Sequence, residues 1–81
     1  MIVGTVTGNL WATKKCESLR GQIFLEVDFE NSKAVARDLV GAGIGDRVLV
    51  TMGSGARTDQ PELPCDAAVV AILDDIPGNS G

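Results

Sequence analysis

The sequence predicts an all-β protein, a small five-stranded OB-like barrel with room for one short helix. Three observations predict this class. Apolar and polar residues alternate in several short segments, which is the period of a β-strand. Turns rich in glycine and polar residues separate these segments. The chain has only 81 residues, and closing five short strands into a barrel removes the sheet edges that otherwise invite aggregation.

The first strand is predicted over residues 2–12. Glycine and apolar residues share one face of this segment, and polar residues such as Thr5 and Thr7 share the other. The glycines permit bending and close backbone approach, as at the corner of a barrel. Residues 13–21 are polar and charged, which indicates a loop.

The remaining strands follow with turns between them. Residues 22–29 alternate again, and a turn at residues 30–33 makes residues 22–38 a hairpin. The residues of this strand predicted to point inward are Ile23, Leu25, Val27 and Phe29. The third to fifth strands are predicted at residues 35–40, 47–52 and 67–76, with a turn at 41–46 and a short helix or an ordered loop at 56–64.

One domain is expected for a chain of this length. We predict a single barrel domain over residues 1–76 and a flexible tail over residues 77–81. Such a short domain is marginally stable, and small domains usually compensate with disulfides, a metal or oligomerisation. The chain has two cysteines outside any C-x-x-C pattern and no histidine, so oligomerisation is the expected route.

The fifth predicted strand is apolar without a gap from Ala67 to Leu73. An antiparallel strand with one face in water should alternate. Either both faces are buried within the fold, or the outer face meets another subunit. Because a barrel this small has no second layer, the pattern favours a subunit interface. Trp11, the sole tryptophan, is expected in the core or at an interface.

The charge balance argues against binding to nucleic acid or membranes. The formal net charge is −4, so the chain lacks the basic footprint of a nucleic-acid-binding domain and the basic patch that anionic lipids attract. No apolar run approaches the ~20 residues that span a bilayer. The N-terminus lacks the basic region of a signal peptide. We therefore expect a cytoplasmic protein.

The segments that look like catalytic or cofactor motifs do not fit them. Residues 41–45 read Gly-x-Gly-x-Gly, but a strand follows, so the helix N-terminus that binds the anion in dinucleotide sites is missing. Ser54 lies between glycines, yet the chain has no histidine to act as its base. Cys16 and Cys65 are too few for a zinc site. No catalytic residue, cofactor or metal is expected.

Three blocks of residues occur in a fixed order. The first is the glycine-dense turn that begins at Asp38, the second is a Gly-Ser-Gly-Ala-Arg loop at residues 53–57, and the third is a Pro-Cys-Asp segment at residues 64–66 that leads into the apolar strand. Together they resemble the pentameric vertex proteins of bacterial microcompartment shells, the family of the carboxysome and of the ethanolamine and propanediol compartments. The resemblance covers most of residues 2–74, and Gly55 departs from the second serine of the family's loop.

The resemblance implies a five-stranded OB-like barrel that assembles as a cyclic homopentamer. Such a pentamer caps the vertices of a polyhedral shell in the cytoplasm, tiled mainly by hexameric shell proteins, which are the implied partners. It implies neither catalysis nor a cofactor. The alternative function is an OB-type binding module for a small anionic ligand or oligomer, with Arg57 and the glycine turn as ligands.

The resemblance and the apolar strand also suggest which residues lie at the subunit interface or near the pore. A short glycine-containing loop permits close approach between neighbouring subunits. The Arg57 guanidinium supplies several donors to carboxylates or carbonyls across the contact, with Asp38 and Asp66 as candidate partners. The expected interface or pore-proximal residues are Asp38, Gly41, Ala42, Gly43, Gly53, Ser54, Gly55, Ala56, Arg57, Asp66, Val70 and Ile72.

Overall fold

The computed structural model of the protein describes residues 1–53, 56 and 65–74. Within them the backbone forms five β-strands and one 3-10 helix. The strands are β1 (Ile2–Leu10), β2 (Phe24–Asp28), β3 (Lys33–Asp38), β4 (Arg47–Met52) and β5 (Ala67–Leu73), and the 3-10 helix is Glu17–Leu19. The predicted tail and most of the segment 56–64 lie outside the described residues, and the predicted domain boundary at residue 76 stays a prediction.

The five strands close into one barrel in the order β1-β2-β3-β5-β4, with β4 returning to pair with β1. β3 and β5 run parallel, and the other four neighbouring pairs run antiparallel. Every one of these strands therefore has a hydrogen-bonded neighbour on both sides. The predicted all-β class and the five-stranded OB-like barrel are confirmed.

β1 bends and so pairs with a different strand along each half of its length. Its first half pairs with β4 and its second half with β2, and the register shifts between Val6 and Gly8. A bulge of this kind increases the local twist of a strand. At Gly4 an added Cβ would lie 2.6 Å from Val27 Cγ1 and 2.9 Å from the Phe29 ring. The close approach of β1 to these side chains therefore requires glycine at this position.

The ends of the strands mostly lie within two residues of the prediction. β4 has the predicted bounds, and β5 begins at the predicted residue. β3 begins earlier than predicted because the hairpin turn is tighter. The Phe29 N–H donates to the Ser32 carbonyl oxygen at 2.7 Å, and Asp28 already pairs with Lys33. The segment 13–21, predicted as a loop, contains the 3-10 helix.

The core lies inside the barrel and is built from alternate residues of the strands. The most buried large apolar side chains are Val6, Leu25, Val27, Val48, Val50 and Val69. Phe29 is half-buried and packs against this cluster. Ile23 was predicted to point inward into the core, but it is 59% exposed and does not belong to the core. It precedes β2 at the end of the barrel, where the Asp38 N–H donates to its carbonyl oxygen at 2.7 Å while its side chain remains exposed.

Candidate functional site

The glycine turn between β3 and β4 is organised by a carboxylate of this chain. Asp38 Oδ1 accepts hydrogen bonds from the N–H groups of Val40 and Gly41, each at 3.1 Å, and its Oδ2 accepts from the Ala42 N–H at 3.1 Å. Gly41 has a positive φ of 77°, which glycine adopts without strain. The carboxylate at the end of β3 thus gathers three successive backbone donors.

A second carboxylate completes the turn. Asp46 Oδ2 accepts from the Gly43 N–H at 2.8 Å, and the Gly45 N–H donates to the Val6 carbonyl oxygen at 2.8 Å. The turn is therefore fixed to β1 as well as to itself. Gly45 also has a positive φ, of 93°, as the predicted tight turn requires.

This geometry bears on the alternative function, in which the glycine turn binds a small anion. Backbone N–H groups that converge in a turn do form anion sites. Here the converging N–H groups of residues 40–42 already bind the tethered carboxylate of Asp38. A free anion would have to displace that carboxylate and would be repelled by it. The turn is consequently a structural element, and Arg57, the other proposed ligand, lies outside the described residues.

The predicted loop at residues 53–57 is described only at its edges. Gly53 has a positive φ of 67°, and its N–H donates to the Asp66 carbonyl oxygen at 2.7 Å. This bond ties the end of β4 to the residue before β5. Ala56 is buried. Ser54, Gly55 and Arg57 lie outside the described residues, as does any pairing of Arg57 with Asp38 or Asp66.

β5 shows both of the arrangements that its unbroken apolar sequence left open. Ala67, Ala68 and Val69 are all buried, so both faces of the first half are covered within the chain. Burial falls along the second half, where Val70 is half-buried and Ile72 is 41% exposed. The second half therefore presents apolar surface that another chain can cover. The interface role of the predicted residues stays a prediction.

Two further apolar surfaces lie on the outside of the barrel. The first, here called the Trp11 face, surrounds an open groove of about 360 Å³. Trp11 itself is 98% exposed, which excludes the core position that the sequence left open for it. The Trp11 face consists of Leu10, Trp11, Phe24 and Val35, with Lys14 and Lys15 at the rim of the groove.

The second surface, here called the Val3 face, crosses three strands. Val3 pairs with Leu49 on β4, and Leu49 pairs with Ala71 on β5. The three side chains point outward, because Val48 and Val50 on either side of Leu49 are buried in the barrel interior and paired residues share a face of the sheet. A polar hollow of about 300 Å³ adjoins Val3, and Asp28, Glu30 and Arg47 line it.

Two interactions on the outer wall were not anticipated from the sequence. Arg37 is fully buried, at 0% exposure, and its Nη1 donates to Gln22 Oε1 at 2.9 Å. Strand alternation assigns Arg37 to the solvent side, so the pattern of one sequence gives no signal for its burial. Glu26 Oε1 accepts from Thr7 Oγ1 at 2.8 Å and lies 3.4 Å from Lys33 Nζ. The Thr7 hydrogen bond, then the Lys33 charge, lower the pKa of Glu26.

Neither a metal-binding cluster nor a membrane-spanning helix is found among the described residues. Among them no three histidine, cysteine, aspartate or glutamate side chains are grouped so that they could hold a metal ion. No helix in this part of the chain is long and apolar enough to cross a membrane. A closed barrel with two separate apolar outer faces is instead typical of a subunit whose work is to contact other chains.

Comparison with known proteins agrees with that class. Residues 1–74 match the family described as ethanolamine utilisation protein EutN/carboxysome, and the chain belongs to this family. It is 44% identical over 85 residues to the carboxysome shell vertex protein CcmL of Synechococcus elongatus, covering 94% of this chain and 86% of that protein. The family resemblance found in the sequence is therefore confirmed.

Solved structures of relatives have the same fold. The pentameric microcompartment shell protein GrpN from Rhodospirillum rubrum is similar with a TM-score of 0.81 and 40% identity, over 94% of this chain and 95% of that one. CcmL of Nostoc sp. PCC 7120 has a TM-score of 0.85 and 38% identity, over 95% and 93% of the two chains. The barrel thus matches shell proteins over nearly its whole length.

Proposed function

We propose that the protein is a structural subunit that assembles as a homopentamer and caps the vertices of a polyhedral bacterial microcompartment shell in the cytoplasm. The observation that carries the proposal is the similarity of the whole barrel to pentameric shell proteins, at 40% identity for GrpN. The protein acts by assembly and not by catalysis. The chain has no histidine, and its most motif-like segment, the glycine turn, is occupied by its own carboxylates.

The surface chemistry of the barrel supports an assembly role. Leu10, Trp11 and Val35 form one exposed apolar face. The Val3 face is the other, with Val3 exposed and Leu49 and Ala71 half-buried. A cyclic ring of identical subunits uses heterologous contacts, so each subunit needs two different complementary surfaces. One small barrel with two such faces meets this requirement.

The five-fold ring explains what the subunit does in a shell. A flat hexagonal tiling cannot close on itself, and a five-fold unit removes one sector of it and forces curvature. The proposed partners are therefore hexameric shell proteins at the edges of the pentamer. The net charge of −4 supports a role without nucleic acid or anionic membrane, because few cations are present to displace counterions or bind lipid headgroups.

The oligomeric state is the first test. Native mass spectrometry of the purified chain should show five copies, and light scattering should give the same mass at micromolar concentration. A persistent monomer would rule out the homopentamer. A ring of six would leave the assembly role but remove the vertex role.

The cellular test uses a host that builds the shell. Deleting the chain should leave the interior enzymes active and the shells open or elongated under electron microscopy. Restoring the chain should restore closed polyhedra. Closed, normally shaped shells in a deletion strain without a second vertex protein would contradict the proposal.

A further inference from the structure

We propose that, in the homopentamer, the Trp11 face of each subunit docks onto the Val3 face of the next subunit. The inference deepens the proposed function and rests on it, because it names the two surfaces that join successive copies of the chain. Three properties of the described residues carry it: apolar exposure, opposite charge at the two rims, and the separation of the faces along β1.

The Trp11 face has the properties of an uncovered contact. Trp11 is 98% exposed and Val35 is 52% exposed, and with Leu10 they line one continuous apolar groove. A tryptophan side chain buries about 150–250 Å² when it is covered. Aromatic residues of this kind are enriched at the centres of interfaces, where they carry most of the binding energy.

The Val3 face offers a matching surface on the other side of the barrel. Its three side chains form an outward row across β1, β4 and β5 that follows from the strand register. Val3 is 43% exposed, and Leu49 and Ala71 beside it are half-buried, so the row presents an apolar strip on the outer surface. A tryptophan from a neighbour has apolar side chains to pack against here.

The rims of the two faces carry opposite charge. Lys14 and Lys15 border the Trp11 groove. Asp28 and Glu30 line the hollow beside Val3, together with Arg47. Two ammonium groups on one face therefore meet a hollow with two carboxylates and one guanidinium on the other. Complementary rims of this kind favour pairing between the two different faces over pairing of either face with itself.

The two faces are far enough apart to act at the same time. Val3 and Leu10 lie seven residues apart on β1, a separation of up to roughly 23 Å at about 3.3 Å per residue. The Trp11 face continues from there onto β2 and β3, and the Val3 face onto β4 and β5. One subunit can thus hold one neighbour with each face, as a closed head-to-tail ring requires.

The sole tryptophan of the chain makes docking directly observable. In the assembled ring its fluorescence should shift to shorter wavelength, and acrylamide should quench it several-fold less than in a monomeric variant such as Val3→Asp. A pentamer whose Trp11 emission stays that of an indole in water would overturn the inference and leave the proposed function standing. Burial of Trp11 that occurs only after a hexameric shell protein is added would overturn it as well.

Mixing two one-faced variants tests which surfaces pair. Trp11→Asp disables the first face and Val3→Asp the second, so each variant alone should remain monomeric with unchanged far-ultraviolet circular dichroism. An equimolar mixture still contains one intact face of each kind and should form dimers of one copy each, without rings. A mixture that stays monomeric, or single variants that still form pentamers, would contradict the pairing. Asn31→Asp, which adds the same charge at an exposed turn, is the control and should keep the ring.

Charge reversal provides an independent arm. Reversing Lys14 and Lys15 to glutamate should prevent ring formation, and so should reversing Asp28 and Glu30 to lysine. All four reversals combined in one chain restore opposite rims and should restore the pentamer. Failure of the combined variant to assemble, while each pair of reversals alone is still folded, would show that these rims do not meet. A wild-type chain that forms no pentamer would refute the proposed function itself.

Discussion

Replacing Asp38 with alanine removes the acceptor that holds three backbone N–H groups of the glycine turn. Val40 and Gly41 are exposed, so water replaces the carboxylate at their N–H groups. Ala42 is buried, and leaving its N–H unsatisfied should cost about 1–3 kcal/mol. We therefore expect Asp38→Ala to lower the free energy of unfolding by about this amount, mostly because the buried Ala42 N–H loses its acceptor.

Urea denaturation measures this loss, at one fixed protein concentration because assembly adds concentration-dependent stability. Asp38→Asn keeps one side-chain acceptor and should lose less. Adding phosphate should raise the unfolding midpoint of Asp38→Ala more than that of the wild type, since the variant exposes an anion site that Asp38 otherwise fills. An unfolding free energy within about 0.5 kcal/mol of the wild type, together with no effect of phosphate, would refute the role given to Asp38.

Three further predictions follow from the barrel wall. Gly4→Ala should destabilise the chain by about 1–3 kcal/mol through overpacking, because the new Cβ would approach Val27 to 2.6 Å; an unchanged denaturation midpoint would contradict this. Because the pKa of Glu26 is lowered in the folded chain, this carboxylate stabilises the fold above the ordinary pKa of glutamate, and the stabilisation is lost as pH falls through the lower folded pKa. The unfolding midpoint of Glu26→Gln should therefore depend less on acid pH than that of the wild type. Parallel pH profiles of the two proteins would rule the effect out. Val70→Asp and Ile72→Asp should each block assembly, since burying an unpaired charge in an apolar contact costs on the order of several kcal/mol. Native mass spectra that still show pentamers for both variants would exclude Val70 and Ile72 from the interface.

Local patterns predicted the parts of the fold that local forces decide. β4 has the predicted bounds because a glycine–aspartate turn precedes it and a glycine follows it. The turn of the β2–β3 hairpin was predicted slightly too late in the chain, because several adjacent polar residues suit a turn equally well. The pairing of Asp28 with Lys33 selects among them. Ile23 continues the apolar alternation of β2 but precedes the strand at the end of the barrel, where its side chain remains exposed. The alternation of residues predicts which face of a strand a side chain lies on, whereas its burial also depends on where the barrel ends.

In the candidate site, too, the sequence predicted some features and could not predict others. Asp38 was expected at a subunit contact, and its position before Val40 and Gly41 is also a sequence signal for a side chain that accepts from its own following backbone, which is what the structure shows. The burial of Arg37 could not be found in this way, because alternation places it on the outer face and its partner Gln22 lies 15 residues earlier in the chain. The exposure of Trp11 likewise needed the fold, since one tryptophan near a strand end suits a core or a surface equally well.

The order of the strands has a consequence for the timing of assembly. β5 lies between β3 and β4, so the strand that comes latest in sequence among the described ones is the one that closes the barrel. Until then β3 and β4 each have an unpaired edge, and open edges invite pairing with other chains. Closure also joins residues distant in sequence, which slows folding. The Val3 face itself includes Ala71 and is incomplete before β5 docks. A nascent chain therefore cannot present this face until the barrel has closed, which delays head-to-tail pairing until β5 has been synthesised and has docked.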